Sequence, residues 1–262
     1  MTNLSSAAKD MAGGIRRVDI WMSLAWLDIK LRYRRTVIGP FWLPLTSVIS
    51  IAMMGFVYSQ LLQMKVAEYF PYLACGLALW SLIASFANDA PTVFVSAAHV
   101  AQQTPLPFSL YVLRRVANAV IQFLHTSVSF WAVALYFGVP FGLHMLLVIP
   151  GVAMVSVYGF WLTLLLGTVC LRYRDAGQAM MVLTQLFFFM TPIFYRVDQL
   201  GDLRWIAEYN PVYHLLEICR APLLGEPVPW ASWRAACLFN LAGGLVAFWV
   251  FARYRKRLAY WM

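Results

Sequence analysis

The sequence has few charged residues, and long stretches of it have none. Charged side chains make up 12% of the 262 residues, whereas about 25% is usual in soluble globular domains. Hydrophobic residues make up 62%, and the mean hydropathy is +0.69. This composition excludes a soluble globule, and we predict an all-α membrane protein made of a single domain.

Acidic residues are scarcer than basic ones, with 11 Asp and Glu against 20 Lys and Arg and a net charge of +9. In a soluble protein this excess would favour nucleic-acid binding. Here the basic residues cluster at the ends of apolar runs, which is the positive-inside pattern of membrane proteins. We therefore expect membrane lipid around the chain and no nucleic acid partner.

The sequence also lacks the patterns of common catalytic and metal sites. No glycine is followed by lysine, so a P-loop is excluded, and neither HExxH nor GxSxG occurs. The four histidines lack metal-ligand spacing, and the four cysteines lack CxxC spacing. Small buried hydrophobes are the favoured interpretation of the cysteines, with a Cys219–Cys237 disulfide as the alternative. We predict that the chain is not an enzyme and holds no metal or cofactor of its own.

Six apolar segments are candidates to cross a hydrocarbon core of about 30 Å, which takes about 20 residues. They are 37–62, 69–87, 116–137, 145–171, 180–195 and 235–252, and the fifth is the shortest and ends at Thr191-Pro192. None contains Asp, Glu, Lys or Arg. Ion-coupled transporters usually keep ionisable residues within the membrane, so we expect the energy source to lie outside this chain.

Basic residues also set the predicted orientation. Fifteen of the 20 Lys and Arg fall on one side of the six segments, and the positive-inside rule assigns that side, with both termini, to the cytoplasm. The cytoplasmic segment 88–115 is predicted to contain a short helix near 92–103. The outer segment 196–234 is predicted to form short helices that dip into the outer leaflet, with a plain periplasmic loop as the alternative.

The N-terminal region is predicted to lie on the membrane surface. Residues 1–14 are polar and are expected to be mobile. Residues 15–35 favour an amphipathic helix in the membrane plane, with an apolar stripe of Ile20, Leu24, Leu27 and Leu31. A helix docked on a partner protein is the alternative.

Aromatic residues are abundant, at 16% of the chain. Aromatic rings stack on the apolar faces of sugars, so an aromatic-lined conduit would pass a glycan without holding it tightly. Lipid-facing rings are the alternative and account for most of these residues. The aromatic candidates to line such a path are Phe41, Trp42, Tyr58, Phe187, Phe188 and Phe189.

Four motifs, in order along the chain, resemble the ABC-2 type permeases that export bacterial polysaccharides, in particular the O-antigen and teichoic-acid branch. They are Asp28-Ile-Lys-Leu-Arg-Tyr-Arg-Arg-Thr-Val-Ile-Gly-Pro-Phe-Trp42, Leu106-Pro-Phe-Ser-Leu-Tyr111, Arg172-Tyr-Arg-Asp175, and Thr191-Pro-Ile-Phe-Tyr195 followed by Tyr209-Asn-Pro-Val-Tyr213. Each motif alone is weak, but four in order on six predicted spans form a specific pattern.

This resemblance implies a type V exporter fold, with a homodimer paired with two copies of a P-loop ATPase that would bind ATP and magnesium. The implied cargo is a glycan on polyprenyl diphosphate, moved from the cytoplasmic to the periplasmic side of a bacterial inner membrane. O-antigen is the first choice of cargo. Capsular polysaccharide, teichoic acid, and a small lipid or drug are the alternatives. A membrane glycosyltransferase or a flippase acting alone is the alternative from another class.

The resemblance also implies roles for particular residues. Residues 15–35 would form an interface helix. At the entrance, the diphosphate would meet Arg32, Arg34 and Arg35, for which anchoring to anionic lipids is the alternative. The residues that would face the ATPase from the coupling helix are Val95, His99, Gln102 and Gln103. The periplasmic gate candidates are Tyr195, Tyr209 and Tyr213.

Overall fold

A computed structural model describes residues 3–34, 38–104 and 106–262, apart from the side chains of Ala101 and Gln102. Within these ranges the chain forms helices joined by turns, and no strand occurs. The α-helices are α1 (Asn3–Arg16), α2 (Val18–Tyr33), α3 (Trp42–Leu61), α4 (Val66–Asp89), α5 (Ala98–Gln103), α6 (Phe108–Phe137), α7 (Val148–Arg172), α8 (Asp175–Met190), α9 (Arg204–Glu208), α10 (Pro211–Leu224) and α11 (Trp230–Trp261). The predicted all-α class is confirmed.

Five helical segments are long and apolar enough to cross a membrane. They are Gly39–Leu61, Val66–Thr92, Phe108–Phe137, Leu143–Arg172 and Trp230–Trp261. The shortest has 23 residues, and at about 1.5 Å per residue it exceeds a hydrocarbon core of about 30 Å. Each overlaps one of the predicted spans, although the predicted start of the first, Val37, lies outside the described residues. The chain is a multi-pass membrane protein.

The fifth predicted span, 180–195, differs from the helix that the structure contains. Helix α8 has 16 residues and runs from Asp175 to Met190, so it is shorter than the five spanning segments and is not one of them. It ends because Pro192 follows, and the residue before a proline favours extended backbone. Thr191 has that conformation, with φ −93° and ψ 133°. Residues 191–195 are bends rather than helix.

Helix α8 and the bends after it lie antiparallel along α4. Near the start of α8, a Cβ on Gly177 would meet the side chain of Pro91 at 3.1 Å, just beyond the end of α4. Further along, the Phe188 and Trp80 rings lie 5.5 Å apart. After α8 has ended, a Cβ on Gly76 would come within 2.9 Å of the Ile193 carbonyl oxygen, so only glycine fits this close approach. Helix α8 and the bends after it thus pack along most of the length of α4.

The core lies around α4, whose side chains are the most buried of the spanning helices. Its central residues pack against α3, α6, α7, α8 and α10, with Leu79, Leu82 and Phe86 almost fully buried. Helices α7 and α11 pack closely together, and two hydrogen bonds of Asn240 join them. Trp161 Nε1 donates to Asn240 Oδ1 at 2.8 Å, and Asn240 Nδ2 donates to the Met154 carbonyl at 3.2 Å. Two buried polar side chains therefore satisfy each other within apolar surroundings.

Helix α1 and the end of α11 lie together at one end of the bundle, which we call the termini end. There the Asp10 carboxylate on α1 accepts hydrogen bonds from the backbone N–H groups of Phe108 and Ser109 at the start of α6. It also accepts a hydrogen bond from Arg255 near the end of α11. The Arg172 guanidinium at the end of α7 lies over the ring of Trp261. We call the opposite end the α10 end.

The N-terminal region differs from its prediction in two ways. Residues expected to be mobile form α1 from Asn3 onwards, with Ala7 and Asp10 buried. The single helix predicted over 15–35 is two helices that meet at Arg17, where φ is −95° and ψ is 53°. The hydrogen bonds of Asp10 explain why α1 is held in place, because its carboxylate caps α6 from another helix.

The apolar stripe predicted for residues 15–35 packs inwards only in its first half, where Ile20 and Leu24 are partly buried against the core. Leu27 and Leu31 are about half-exposed, whereas Ala25 and Ile29 are buried against the protein. The helix is turned so that Asp28 and Arg32 reach polar partners on α6. The exposed leucines remain available to lipid. The cysteines are all free, with Cys219 buried and Cys237 exposed, so the alternative of a disulfide between them is wrong.

Candidate functional site

A cleft of about 320 Å³ opens at the termini end between α2, the turns at 92–97 and the start of α6. Helix α2 contributes Asp28 and Arg32 to its walls. Polar residues of α6 line the facing wall, namely Tyr111, Arg114, Arg115 and Asn118. The remaining lining residues are Thr92, Val93, Ser96 and Ala97. We call this the basic cleft.

Two of the three arginines in the basic cleft are paired with carboxylates. Arg114 donates from Nε and Nη2 to the two oxygens of Asp28, at 2.7 and 2.5 Å. Arg115 forms an ion pair with Asp89 at the end of α4. Arg32 instead donates to the neutral amide oxygen of Gln122 at 2.5 Å, and no carboxylate of the described residues lies within ion-pair distance of it. The positive charge of Arg32 is therefore not neutralised within the cleft.

The wall of the basic cleft also holds polar atoms without partners. The Tyr111 side chain is 2% exposed, and among the described residues no hydrogen-bond partner lies near its hydroxyl. Nε of Arg115 is also buried and has no hydrogen-bond partner among the described residues. Buried donors are nearly always satisfied in folded proteins, so each such group calls for a water, an ion or a ligand. Unsatisfied donors beside an unneutralised arginine suit an anion.

Of the two predicted entrance arginines that the structure describes, Arg32 lines the basic cleft. Arg34 ends α2, is exposed and lies outside the cleft lining. Arg35 lies outside the described residues. The sequence prediction missed Arg114 and Arg115, which join Arg32 only because α2 packs along α6. The signal available in the sequence was the paired arginines themselves at the start of an apolar run.

The segment predicted to face an ATPase lies on the surface of the termini end. It consists of two short turns followed by α5, rather than one helix over 92–103. Phe94 is buried and packs edge-on against Phe108 at 6.1 Å, which fixes the segment to α6. Val95 and His99 are exposed, and His99 is hydrogen-bonded to Gln103 at 3.1 Å. The side chain of Gln102 lies outside the described residues.

The six aromatic candidates for a path fall into three places. Tyr58, Phe188 and Phe189 surround the ring of Phe194, with centroid distances of 5.3, 5.8 and 6.4 Å. We call these four residues the Phe194 cluster, and the sequence prediction missed its central ring. Phe187 instead lines an apolar cavity of about 230 Å³ between α4, α7, α8, α10 and α11. The two candidates at the start of α3 are largely exposed, namely Phe41 and Trp42.

The three tyrosines predicted at the gate are also separated. Tyr195 donates its hydroxyl hydrogen bond to the Phe189 carbonyl at 3.1 Å, which places it beside the Phe194 cluster. Tyr209 is 83% exposed at the end of α9. Tyr213 is partly buried on α10, and burial, aided by the nearby Glu217 carboxylate, raises its pKa to about 12.

A buried ion pair at the α10 end was missed by the sequence prediction. Arg220 is 2% exposed and donates to Glu217 Oε2 from Nε and Nη2, at 3.0 and 2.5 Å. Its Nη1 donates to the Pro192 carbonyl at 2.5 Å, and its guanidinium lies 4.3 Å from the centroid of the Tyr72 ring. We call Tyr72, Glu217, Arg220 and the turn at 191–195 the Arg220 hub.

Tyr72 completes the Arg220 hub from α4. Its hydroxyl lies 3.1 Å from the Pro192 carbonyl and 2.8 Å from the Tyr195 carbonyl. Asn210 caps α10 and donates to the Thr191 hydroxyl at 2.9 Å. The exit of α8 is therefore bound to α4 and α10 by polar groups that are all buried. The sequence signal was Glu217 and Arg220, three residues apart in an otherwise apolar helix.

Comparison with known proteins is consistent with this architecture. Two O-antigen export system permease proteins, both named RfbA and both from Klebsiella pneumoniae, are 26% and 24% identical to the chain over 200 residues. Each alignment covers 76% of this chain and 77% of the relative. The sequence model of the ABC-2 type transporters matches residues 20–224, from α2 to the end of α10. The chain therefore belongs to the ABC-2 type transporter family.

Proposed function

We propose that this chain is the membrane-spanning subunit of an ATP-driven exporter that moves lipid-linked polysaccharide, in the first place O-antigen, from the cytoplasmic to the periplasmic side of a bacterial inner membrane. The observation that carries the proposal is the alignment of two O-antigen export permeases with three-quarters of the chain. The spanning helices contain aromatic rings but few ionisable groups, which favours passage of a neutral glycan over ion coupling.

The proposed topology has six crossings with both termini in the cytoplasm. Helix α8 is short, but with the bends after it the chain passes from beside Pro91 to beside Gly76 along α4. That stretch of α4 spans about 22 Å at about 1.5 Å per residue, so α8 crosses most of the bilayer with it. Six crossings bring both termini to one end, and the basic residues concentrated there support its assignment to the cytoplasm.

The energy source in this proposal is a separate ATPase that binds ATP and magnesium, in two copies. The surface for it is the segment Val95–Gln103, because its buried residues fix it to α6 while Val95 and His99 remain exposed. A short helix that packs on the protein through one face and exposes the other face suits insertion into a cleft of a partner protein.

A second copy of the chain would complete the passage. Helix α3 is the least buried of the five spanning segments. Its exposed face includes Phe41 and Trp42 together with hydroxyl side chains such as Ser50. Six helices enclose no polymer-sized channel alone, so the proposed passage runs between two copies, with the Phe194 cluster near it. Arg32, which lines the basic cleft, lies at its proposed entrance.

The proposal is tested by deleting the gene in a strain that makes O-antigen and by following the lipid-linked glycan. We expect this glycan to accumulate on the cytoplasmic side and the surface O-antigen to disappear, with both restored by the wild-type chain. A matched strain with an inactive partner ATPase should give the same accumulation. Normal surface O-antigen in the deletion strain would refute the proposed cargo, and loss of a capsule instead would transfer the proposal to that polymer.

A further inference from the structure

We propose that the basic cleft is a binding site for a phosphate group, and that its ligand is the diphosphate of the lipid-linked cargo. The choice of cargo rests on the function proposed above. The phosphate chemistry rests on the cleft itself, through Arg32, Tyr111 and Asn118.

Arg32 supplies the charge. Its neighbours Arg114 and Arg115 are each paired with a carboxylate, whereas among the described residues Arg32 has its hydrogen bond to the neutral amide of Gln122. A guanidinium presents five N–H donors in a planar fork that matches phosphate oxygens, and one bond to an amide leaves most of them free. With three arginines against Asp28 and Asp89, the cleft carries one excess positive charge. That balance favours an anion.

Tyr111 and Asn118 supply buried neutral donors. The Tyr111 hydroxyl has no hydrogen-bond partner among the described residues, and its side chain is 2% exposed. Asn118 is 1% exposed, and its Nδ2 reaches only the Ala25 carbonyl at 3.4 Å, a long contact. A phosphate has acceptor oxygens on every side, so one group answers both donors. A cationic or apolar ligand would leave the hydroxyl and the Arg32 charge unsatisfied.

Asp28 also lines the basic cleft, and its position directs the phosphate. Both of its oxygens accept hydrogen bonds from Arg114. Arg114 therefore neutralises the charge of Asp28 within the wall of the cleft. The free donors lie on Arg32, one helical turn further along α2. We place the phosphate beside Arg32 rather than beside Arg114.

The opposite wall of the cleft gives the site a further consequence. Thr92 and Ser96 line it; Thr92 lies shortly before the exposed segment that we assign to the ATPase, and Ser96 lies within it. A ligand in the cleft therefore touches α2, α6 and the root of α5 together. Occupancy is expected to raise the ATPase rate of the complex, because the ligand fixes the segment that the partner engages.

The test measures binding to the full-length chain in phosphatidylcholine nanodiscs, with undecaprenyl diphosphate and inorganic pyrophosphate as probes. The variants are Arg32→Gln, Tyr111→Phe and, as the matched control, Arg34→Gln, which removes the same charge from the same helix but outside the cleft. We expect Arg32→Gln to weaken binding of both probes about tenfold or more, since a charged hydrogen bond is lost. Tyr111→Phe should weaken it about threefold or more. Arg34→Gln should bind within about twofold of the wild type.

A second measurement keeps folding separate from binding. Tyr111→Phe removes only a hydroxyl without a partner, so its melting temperature should equal that of the wild type. In the complex with the ATPase, undecaprenyl diphosphate should stimulate hydrolysis by the wild type and by Arg34→Gln, and much less by Arg32→Gln. Equal losses for Arg32→Gln and Arg34→Gln, or wild-type binding by both cleft variants, would overturn the site.

Nanodiscs with phosphatidylglycerol distinguish the two sources of phosphate. If this lipid displaces undecaprenyl diphosphate at equal concentration, the cleft binds lipid headgroups and the cargo assignment is overturned. The proposed function fails separately. A deletion strain without glycan accumulation would refute the export of glycan, while the dependence of pyrophosphate binding on Arg32 would still establish the phosphate site.

Discussion

Replacing Arg220 by methionine is expected to destabilise the protein more than most single substitutions. Methionine has similar length but no charge, so Glu217 would remain buried at 9% exposure without its partner. The change removes two hydrogen bonds to that carboxylate, one to the Pro192 carbonyl, and the contact with the Tyr72 ring. Breaking a buried ion pair from one side costs about 3–5 kcal/mol. For a chain of this size the melting temperature should fall by roughly 6–20 °C.

The measurement is thermal unfolding of the purified chain in nanodiscs, and two further variants define its meaning. Arg204→Gln breaks an ion pair with Asp198 at the same end, but both side chains are mostly exposed. That control should lose at most about 1 kcal/mol. The double variant Glu217→Leu with Arg220→Met removes both charges, and it should recover most of the loss because no buried charge stays unpaired.

Two results would refute this reasoning. If Arg220→Met melts like Arg204→Gln, the pair is not buried in the folded protein as described. If the double variant is as unstable as Arg220→Met, the loss comes from the contacts of Arg220 with the turn at 191–195 and not from the unpaired carboxylate.

Three further predictions concern the cap of α6, the close approach of the chain at Gly76 and the exposed segment that contains Val95. Asp10→Ala should lower stability by about 1–3 kcal/mol in an unfolding assay, because it removes the cap of α6 and the partner of an α11 arginine, whereas the exposed Asp19→Ala should have little effect. Gly76→Ala should lower the yield of folded protein on size-exclusion chromatography, because its Cβ would strike a backbone carbonyl at 2.9 Å, whereas Gly244→Ala, with open space around it, should be neutral or stabilising. Val95→Asp should abolish co-purification of the ATPase while leaving the melting temperature unchanged, and retained co-purification would move the docking surface elsewhere.

The spanning helices were predictable because their signal is local. An uncharged apolar run of about 20 residues is long enough to cross the hydrocarbon core of a bilayer, and it therefore predicts a spanning helix. The end of α8 was predictable for a similar reason, since Pro192 acts on its immediate neighbour. Even there the helix begins at Asp175, earlier than predicted, because a helix continues past the apolar run when its first polar residues face the surface.

The candidate sites were predictable only in part, because their members are far apart in the chain. Arg32 was recognised as a basic residue at a membrane boundary, but the cleft requires residues of α6 that join it only through packing. Asp10 lies in a segment whose composition favours mobility, and its partners are 98 or more residues away. Phe194 looked like the end of a span, yet it is the centre of an aromatic cluster. The periodicity of a single sequence does not reveal contacts between residues that are so far apart in the chain.

Helix α4 has a polar anchor near each of its ends. Tyr72 belongs to the Arg220 hub, and Asp89 is paired with Arg115 in the wall beside the basic cleft. An α-helix resists compression along its axis, so α4 acts as a strut of about 26 Å between the two anchors. Any axial movement of α4 must be accommodated at once by the contacts of Tyr72 and by the Asp89–Arg115 ion pair. Mechanically, the two ends of the bundle are joined by one rigid rod, and an event at the termini end has a direct route to the turn that closes α8.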